Sequence, residues 1–338
     1  MTRHATRPQP LSKRRARWAA LAVPTVGMLA VATLAATAVP GTGQAASVAR
    51  PIIFGAAADN PAQVTAHEKV LGRHMEGVRD YKSWDSTLFA SNQTWMRDTG
   101  HTLFLSIKAK RINGTIVKFA DIAAAKAGST LYNNMVSMAT QIKAFRNTVY
   151  IVLNHEPEAS GSYANGNGAQ FAAAWRNFVT IMRAQKVTNA KYVVTFTGYG
   201  FTRKDTHNIA YYYPGDTYVD AVAADLYNWG SCRKQPWTPM SSLVAGIKNW
   251  GAAHPTKPLM LLEWGTVEDK AVPGRKAQWI KDVQALFKLP AYNQFTALLQ
   301  WGGLNIKANC PFDYSTSATA TAAWAAMGRD PAYELNPA

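Results

Sequence analysis

Cysteine pairs, histidine motifs and glycine-rich loops are what this 338-residue chain has least of. Its two cysteines, Cys232 and Cys310, exclude a small disulfide-stapled module and a cysteine-rich metal centre. Seven histidines include no His-x-x-x-His pair, which removes helix-borne metalloprotease chemistry. No Gly-x-Ser-x-Gly turn occurs, so a serine nucleophile elbow is excluded too. The first strand pattern ends in Phe54-Gly55-Ala56-Ala57-Ala58, where a nucleotide-binding chain would carry its phosphate loop. No metal and no organic cofactor is therefore expected.

Acidic residues are also in short supply: 20 Asp and Glu against 36 Lys and Arg give a net charge of +16. No dense basic cluster or basic helix accompanies the excess, so nucleic acid is not an expected partner. An anionic cell wall or an acidic glycan suits a basic surface as well, and so does simple solubility.

Part of that charge belongs to the first residues. Arg3, Arg7, Lys13, Arg14, Arg15 and Arg17 open the chain without an acid. An apolar, Ala-rich stretch from about Trp18 to Val39 follows, and then the small-residue run Gly43-Gln44-Ala45-Ala46. This is the pattern of a secretory signal peptide, expected over residues 1–45 and removed on export. The same stretch is just long enough to span a bilayer as a retained anchor. Arg14-Arg15 leaves twin-arginine export open beside the general route. Cleavage would leave one domain, 46–338, with ten excess positive charges. It is expected to be secreted, free or held at the cell wall, monomeric, and without stable membrane association. Two cysteines in an exported chain predict one disulfide, Cys232–Cys310.

What the remaining sequence has in abundance is alternation. Short apolar runs read as strands at Pro51–Ala57, Gly77–Tyr81, His101–Ile107 and Thr148–Asn154. Four more follow at Tyr192–Thr197, Val219–Leu226, Pro258–Glu263 and Phe295–Gln300. Amphipathic helix patterns separate them, including Ser86–Asp98 and Pro239–Ala253, although 199–214 carries none. Eight strand–helix repeats predict an α/β fold, a single (β/α)₈ barrel with helices outside a closed parallel sheet.

Two of these runs end in carboxylates, Glu156 after strand four and Glu263 at strand seven. Charge is costly in a core but natural at the C-terminal mouth of a barrel, where that fold does its chemistry. Two opposed carboxylates there suit glycoside hydrolysis, one as acid/base and one as nucleophile. Tyr227, closing strand six, is placed to donate a hydrogen bond to Glu263. His155 reads either as a partner of a carboxylate or sugar hydroxyl, or as a satisfied core histidine. Asp225 is a support or a sugar-hydroxyl acceptor, and Glu158 reads as a surface or loop-capping residue. Eleven tryptophans are many for this length. Trp84, Trp229, Trp264 and Trp301 fall in expected mouth loops, where flat aromatic walls suit the C–H faces of pyranose rings. Trp301 is the expected floor beneath the cleaved sugar.

At these residues the chain resembles clan A glycoside hydrolases, and among them glycoside hydrolase family 26. The resemblance rests on His155-Glu156, on Asp225-Leu226-Tyr227-Asn228 and on Leu299-Gln300-Trp301-Gly302. It departs at Pro157-Glu158, where the family continues with a Met-Asn-like pair. The resemblance implies that Glu156 is the acid/base and Glu263 the nucleophile of a retaining endo-glycosidase acting on polysaccharide, with β-1,4-mannan first and β-glucan or β-xylan behind it. A non-catalytic carbohydrate-binding or wall-binding barrel is the alternative from another class.

Overall fold

The computed structural model describes residues 52–302, 304–305 and 310–335; the expected leader lies outside the described residues. Eight parallel strands form a closed barrel in chain order. They are β1 (Ile53–Ala57), β2 (Gly77–Lys82), β3 (Thr102–Ile107) and β4 (Val149–Leu153), then β5 (Ala190–Thr197), β6 (Ala221–Asn228), β7 (Leu259–Thr266) and β8 (Phe295–Gln300). β8 closes on β1 with Ile53 opposite Ala297. The expected (β/α)₈ barrel is the fold.

Helices α1 (Pro61–Leu71), α2 (Ser91–Asp98), α3 (Phe119–Ala124), α4 (Thr130–Phe145) and α5 (Gly168–Ala184) follow the first four strands. α6 (Met240–Leu243), α7 (Ala245–Ala253), α8 (Arg275–Phe287) and α9 (Ala318–Gly328) follow the last three. Their starts are written in the sequence. Asn167 caps α5 by accepting from Gln170 N, and the Gln170 side chain accepts from Asn167 N in return. Phe171, Trp175, Phe178 and Met182 then recur at helical spacing and bury one face of α5.

Two apolar layers result. Phe104, Val152, Val193, Ala223, Met260 and Leu299 fill the barrel, while larger side chains pack between sheet and helices. A side chain at Gly55 would put its Cβ 1.9 Å from the Gly77 carbonyl oxygen, so only glycine lets β1 and β2 approach here.

Several boundaries differ from the sequence reading. β4 ends at Leu153, so Glu156 sits in the loop beyond it. β7 continues past Glu263 to Thr266. The helix expected from Ser86 begins at Ser91, after a turn in which Ser83 N donates to Ser86 Oγ. The helix expected over Pro239–Ala253 divides at Val244 into α6 and α7. Residues 199–214 hold only a short 3₁₀ turn, Ile209–Tyr211. Among the described residues no helix is long and apolar enough to cross a membrane.

One irregularity aims the site. Ala224 pairs with Leu261, yet the next residue, Asp225, pairs with Glu263. Toward β8, Leu261 pairs with Leu298 and Trp264 with Gln300, so β7 again carries the extra residue. This is a β-bulge at Leu262-Glu263. Leu262 already faces the barrel interior. Plain alternation would therefore send Glu263 into the helix layer and Trp264 to the mouth; the bulge reverses both.

Candidate active site

The C-terminal ends of the strands open into a cleft of about 880 Å³, large enough for several sugar rings. Glu156, Glu158, Asp225 and Glu263 all line it, with Tyr227 and Trp301. Inward-facing residues of neighbouring strands converge there because successive strand side chains alternate between core and helix layer.

Glu263, 7% exposed, is the most closely held of the four. Tyr81 Oη on β2 donates to its Oε1 at 2.7 Å, and Tyr227 Oη on β6 donates to its Oε2 at 2.5 Å. Arg79 Nη2 stands 4.0 Å from Oε1. Burial first, and then the charge of Glu263, push both phenols well above the usual tyrosine range. Both therefore remain protonated donors. Burial opposes the charge on Arg79, which is fully enclosed, but the pull of the groups facing it, Glu263 among them, outweighs burial and keeps the guanidinium ionised. A buried cation is costly unless an anion faces it, so Arg79 and an ionised Glu263 require each other.

Glu156 has the opposite environment. Its backbone turns through the left-handed region at φ 51°, and Asn154 does so at φ 49°, which carries the chain out of β4 and back over the mouth. Glu156 N donates to Thr195 O on β5 and fixes that turn. Burial, then Glu263 and Glu158, raise the Glu156 carboxyl above its ordinary range, against Arg79 and Arg233. Such a group keeps its proton near neutrality.

Asp225 lies level with Glu263 across β6 and β7 and is 3% exposed. Neither of its buried oxygens meets a hydrogen-bond donor. Burial, Glu263 and Glu156 push it well above the carboxylate range. Glu158 is corrected from surface to interior. It is 2% exposed and accepts from Thr197 N at 2.6 Å and Thr197 Oγ1 at 2.7 Å, which caps β5. Burial raises it to about 7. The strand end that was expected to leave it in solvent is instead covered by the loop it belongs to.

His155 also lines the cleft, with Nδ1 3.3 Å from Ser106 Oγ and its ring 5.5 Å from that of Tyr81. Burial lowers its pKa to about 4, so the ring is neutral at neutral pH.

The tryptophans divide. Trp301 follows β8, lines the cleft and meets Tyr227 edge-on at 5.8 Å. Trp229 reaches the cleft wall at 9% exposure, with the Arg233 guanidinium 3.1 Å from its ring centre. Trp84 and Trp264 do not line the cleft, and their sequence assignments are corrected. Trp84 is 1% exposed and donates from Nε1 to Asn134 Oδ1 on α4, because the chain after β2 folds down into the helix layer. Trp264 points outward after the bulge and packs near Trp279 of α8, with ring centres 6.1 Å apart.

Cys232 and Cys310 form the expected disulfide, with Cα atoms 5.7 Å apart. It ties the turn after β6 to the segment after β8, on the rim beside β7. Sequence reasoning missed Arg79, Tyr81 and Lys108, the last of which lines the cleft with Nζ 5.5 Å from the Tyr81 ring centre. The signal was available: alternation along Gly77-Val78-Arg79-Asp80-Tyr81 puts Arg79 and Tyr81 on one face. Asp80 lies on the other face and accepts from Gln93 of α2.

No protein-family model matches the chain. A curated relative, Endoglucanase H of Acetivibrio thermocellus, is 26% identical over 255 residues, which is 69% of this chain and 25% of the relative. The chain thus spans about a quarter of that protein's length. Among solved structures, a modular endo-β-1,4-mannanase of Cellulomonas fimi superposes with a TM-score of 0.59. It is 19% identical and covers 83% of this chain and 71% of its own. A glycoside hydrolase family 26 β-mannanase of Bacteroides ovatus superposes at 0.58 with 14% identity, over 84% and 90% of the two chains. In fold, the chain resembles family 26 glycoside hydrolases.

Proposed function

We propose that the chain is a secreted, retaining endo-glycoside hydrolase that cleaves β-linked polysaccharide, with β-1,4-mannan the first substrate. The observation that carries this is the contrast within one cleft: Glu263 is bracketed by two phenol donors and a buried guanidinium, whereas Glu156 is held protonated. Glu156 gives its proton to the glycosidic oxygen as the C1–O bond breaks, and Glu263 attacks C1 to form the glycosyl ester. With Glu263 esterified, one of the charges that raised Glu156 is gone. The Glu156 carboxylate then takes a proton from water, which attacks C1 and releases Glu263. One water is consumed and both glutamates return to their first state. Trp301 is the platform for the reacting sugar. A β-glucan reading is favoured by the endoglucanase relative, and the same residues would serve it. Residues 1–45 act as the export signal, and 46–338 form the catalytic domain, a monomer.

The test is release of reducing ends from linear mannan, barley β-glucan and xylan, with Glu263→Gln as control. Mannan turnover is expected, and its loss by several orders of magnitude in the variant. A 2-fluoro glycoside with an activated leaving group should add its sugar mass to the peptide bearing Glu263. A folded wild-type protein that binds these glycans without cleaving any would leave the non-catalytic barrel as the answer.

A further inference from the structure

The N-terminal end of the barrel, opposite the cleft, holds a second cluster of chemistry-bearing side chains. Among the described residues it is where three metal-ligating atoms from different residues come within 4.8 Å of one another: Glu68 on α1, His74 before β2 and His101 before β3. Glu68 Oε1 is 2.9 Å from His74 Nδ1 and 3.1 Å from His101 Nε2. Two imidazole nitrogens thus converge on a single carboxylate oxygen, with ring centres 4.3 Å apart. That oxygen is itself positioned by Met75 N, which donates to it at 3.0 Å.

The far side of His101 fixes which nitrogen is free. Its ring is 4% exposed, with Nδ1 3.1 Å from Met96 O and 2.9 Å from Thr99 Oγ1. The Thr99 hydroxyl donates to Trp95 O at 2.7 Å, so it meets Nδ1 as an acceptor, as the Met96 carbonyl must. Nδ1 therefore carries the ring hydrogen. In a neutral ring that leaves the Nε2 lone pair aimed at a carboxylate oxygen, and two acceptors so close need either a proton or a metal ion between them.

A histidine whose other N–H is bound by a backbone carbonyl is the usual support of a metal ligand. Metal–nitrogen bonds of about 2.0–2.1 Å place tetrahedral donors about 3.3 Å apart, near the 2.9 and 3.1 Å between Glu68 Oε1 and the two ring nitrogens. Imidazole nitrogens with one carboxylate suit zinc-like ions better than calcium or magnesium. The His74 side chain is 48% exposed, which leaves an entry path and room for a water ligand.

We propose that Glu68, His74 and His101 bind one zinc-class divalent transition metal, completed by water, as a staple joining α1 to the starts of β2 and β3. No sequence motif announces it, because the three ligands are brought together only by the pairing of β2 with β3 and the packing of α1 beside them.

The test uses the untagged, chelator-treated chain titrated with ZnCl₂ by calorimetry, with Tm followed in parallel. One zinc per chain and a raised Tm are expected, and Co²⁺ should give the visible absorption of a tetrahedral site. His74→Gln, at an exposed position, should fold with the Tm of the chelated parent and lose both the binding and the zinc-dependent Tm rise. Saturable binding that survives His74→Gln would overturn the assignment. So would absence of binding in the parent, which would leave an imidazolium–carboxylate pair. Glu68→Gln is the second variant and should behave like the first. None of these readouts depends on glycoside turnover.

Discussion

Tyr227→Phe removes the phenol that donates to Glu263 Oε2 at 2.5 Å and leaves the ring in place. Tyr81→Phe does the same at Oε1. The ring of Tyr81 must stay, because Arg79 and Lys108 lie 5.1 and 5.5 Å from its centre. A hydrogen bond to a charged group contributes about 1.5–3 kcal/mol. In the proposed cycle Glu263 passes from carboxylate to neutral ester and back, so that contribution changes through it. Forming the ester spends the charge, whereas hydrolysing it restores the charge. The donors therefore favour departure of Glu263 more than its attack. If about half the charge has returned at the second transition state, each phenol lowers that barrier by about 0.75–1.5 kcal/mol, or roughly four- to twelve-fold in rate.

The signature is specific. In either variant kcat should fall several-fold and KM should fall with it, because the ester accumulates. kcat/KM, which reports only the steps up to the ester, should not fall, and by the same half-charge argument should rise several-fold because the free carboxylate loses more stabilisation than the first transition state. An aryl glycoside should then show a burst of phenol equal to the enzyme concentration. A loss in kcat/KM as large as that in kcat, with no burst, would show that the phenols act on glycosylation and refute the reasoning.

Other expectations test the remaining groups. With an aryl glycoside whose leaving group needs little protonation, Glu156→Gln should lose less in formation of the ester than Glu263→Gln; equal losses would contradict the two roles. Glu158, raised to about 7, gains its charge near neutrality and helps raise Glu156. Glu158→Gln removes that charge, so Glu156 should lose its proton at lower pH and the alkaline limb of kcat/KM should move acidward; an unmoved limb would show that the two are uncoupled. Cys232→Ser with Cys310→Ser opens a loop of sequence separation 78 and should cost at most about 4.5 kcal/mol in denaturant unfolding, with the barrel retained.

The barrel was legible because apolar runs such as Leu259-Met260-Leu261-Leu262 can satisfy a buried parallel strand and little else. The two glutamates were legible for the same reason, since a carboxylate cannot follow such a run unless it emerges at a mouth. Side-chain direction was not legible where the backbone departs from period two. Trp264 adjoins Glu263, and both cannot face inward in a regular strand. The bulge at Leu262-Glu263 decides between them, and no residue type marks it. Trp84 failed differently: its position after β2 suggested a mouth loop, but the path of that loop depends on Asn134 and α4, 50 residues away. Arg79 was overlooked because a strand arginine reads as surface until the closed barrel encloses it.

Enclosure of Arg79 also explains how four carboxyls share one cleft. A single buried guanidinium faces the group, and Glu263 takes it together with both phenols. Glu156, Glu158 and Asp225 have burial and the charge of their neighbours against ionisation. Asp225 is the telling case, because its oxygens have no donor at all although it lies level with Glu263. Ionised, it would oppose the nucleophile's charge; neutral, it leaves Arg79 to Glu263. The arrangement suits the proposed mechanism, in which Glu263 would attack as the anion and Glu156 would give up the proton. Burial and the charge of Glu263 together keep the proton on Glu156, and in the proposed mechanism esterification would remove the second of these at the step where Glu156 becomes a base.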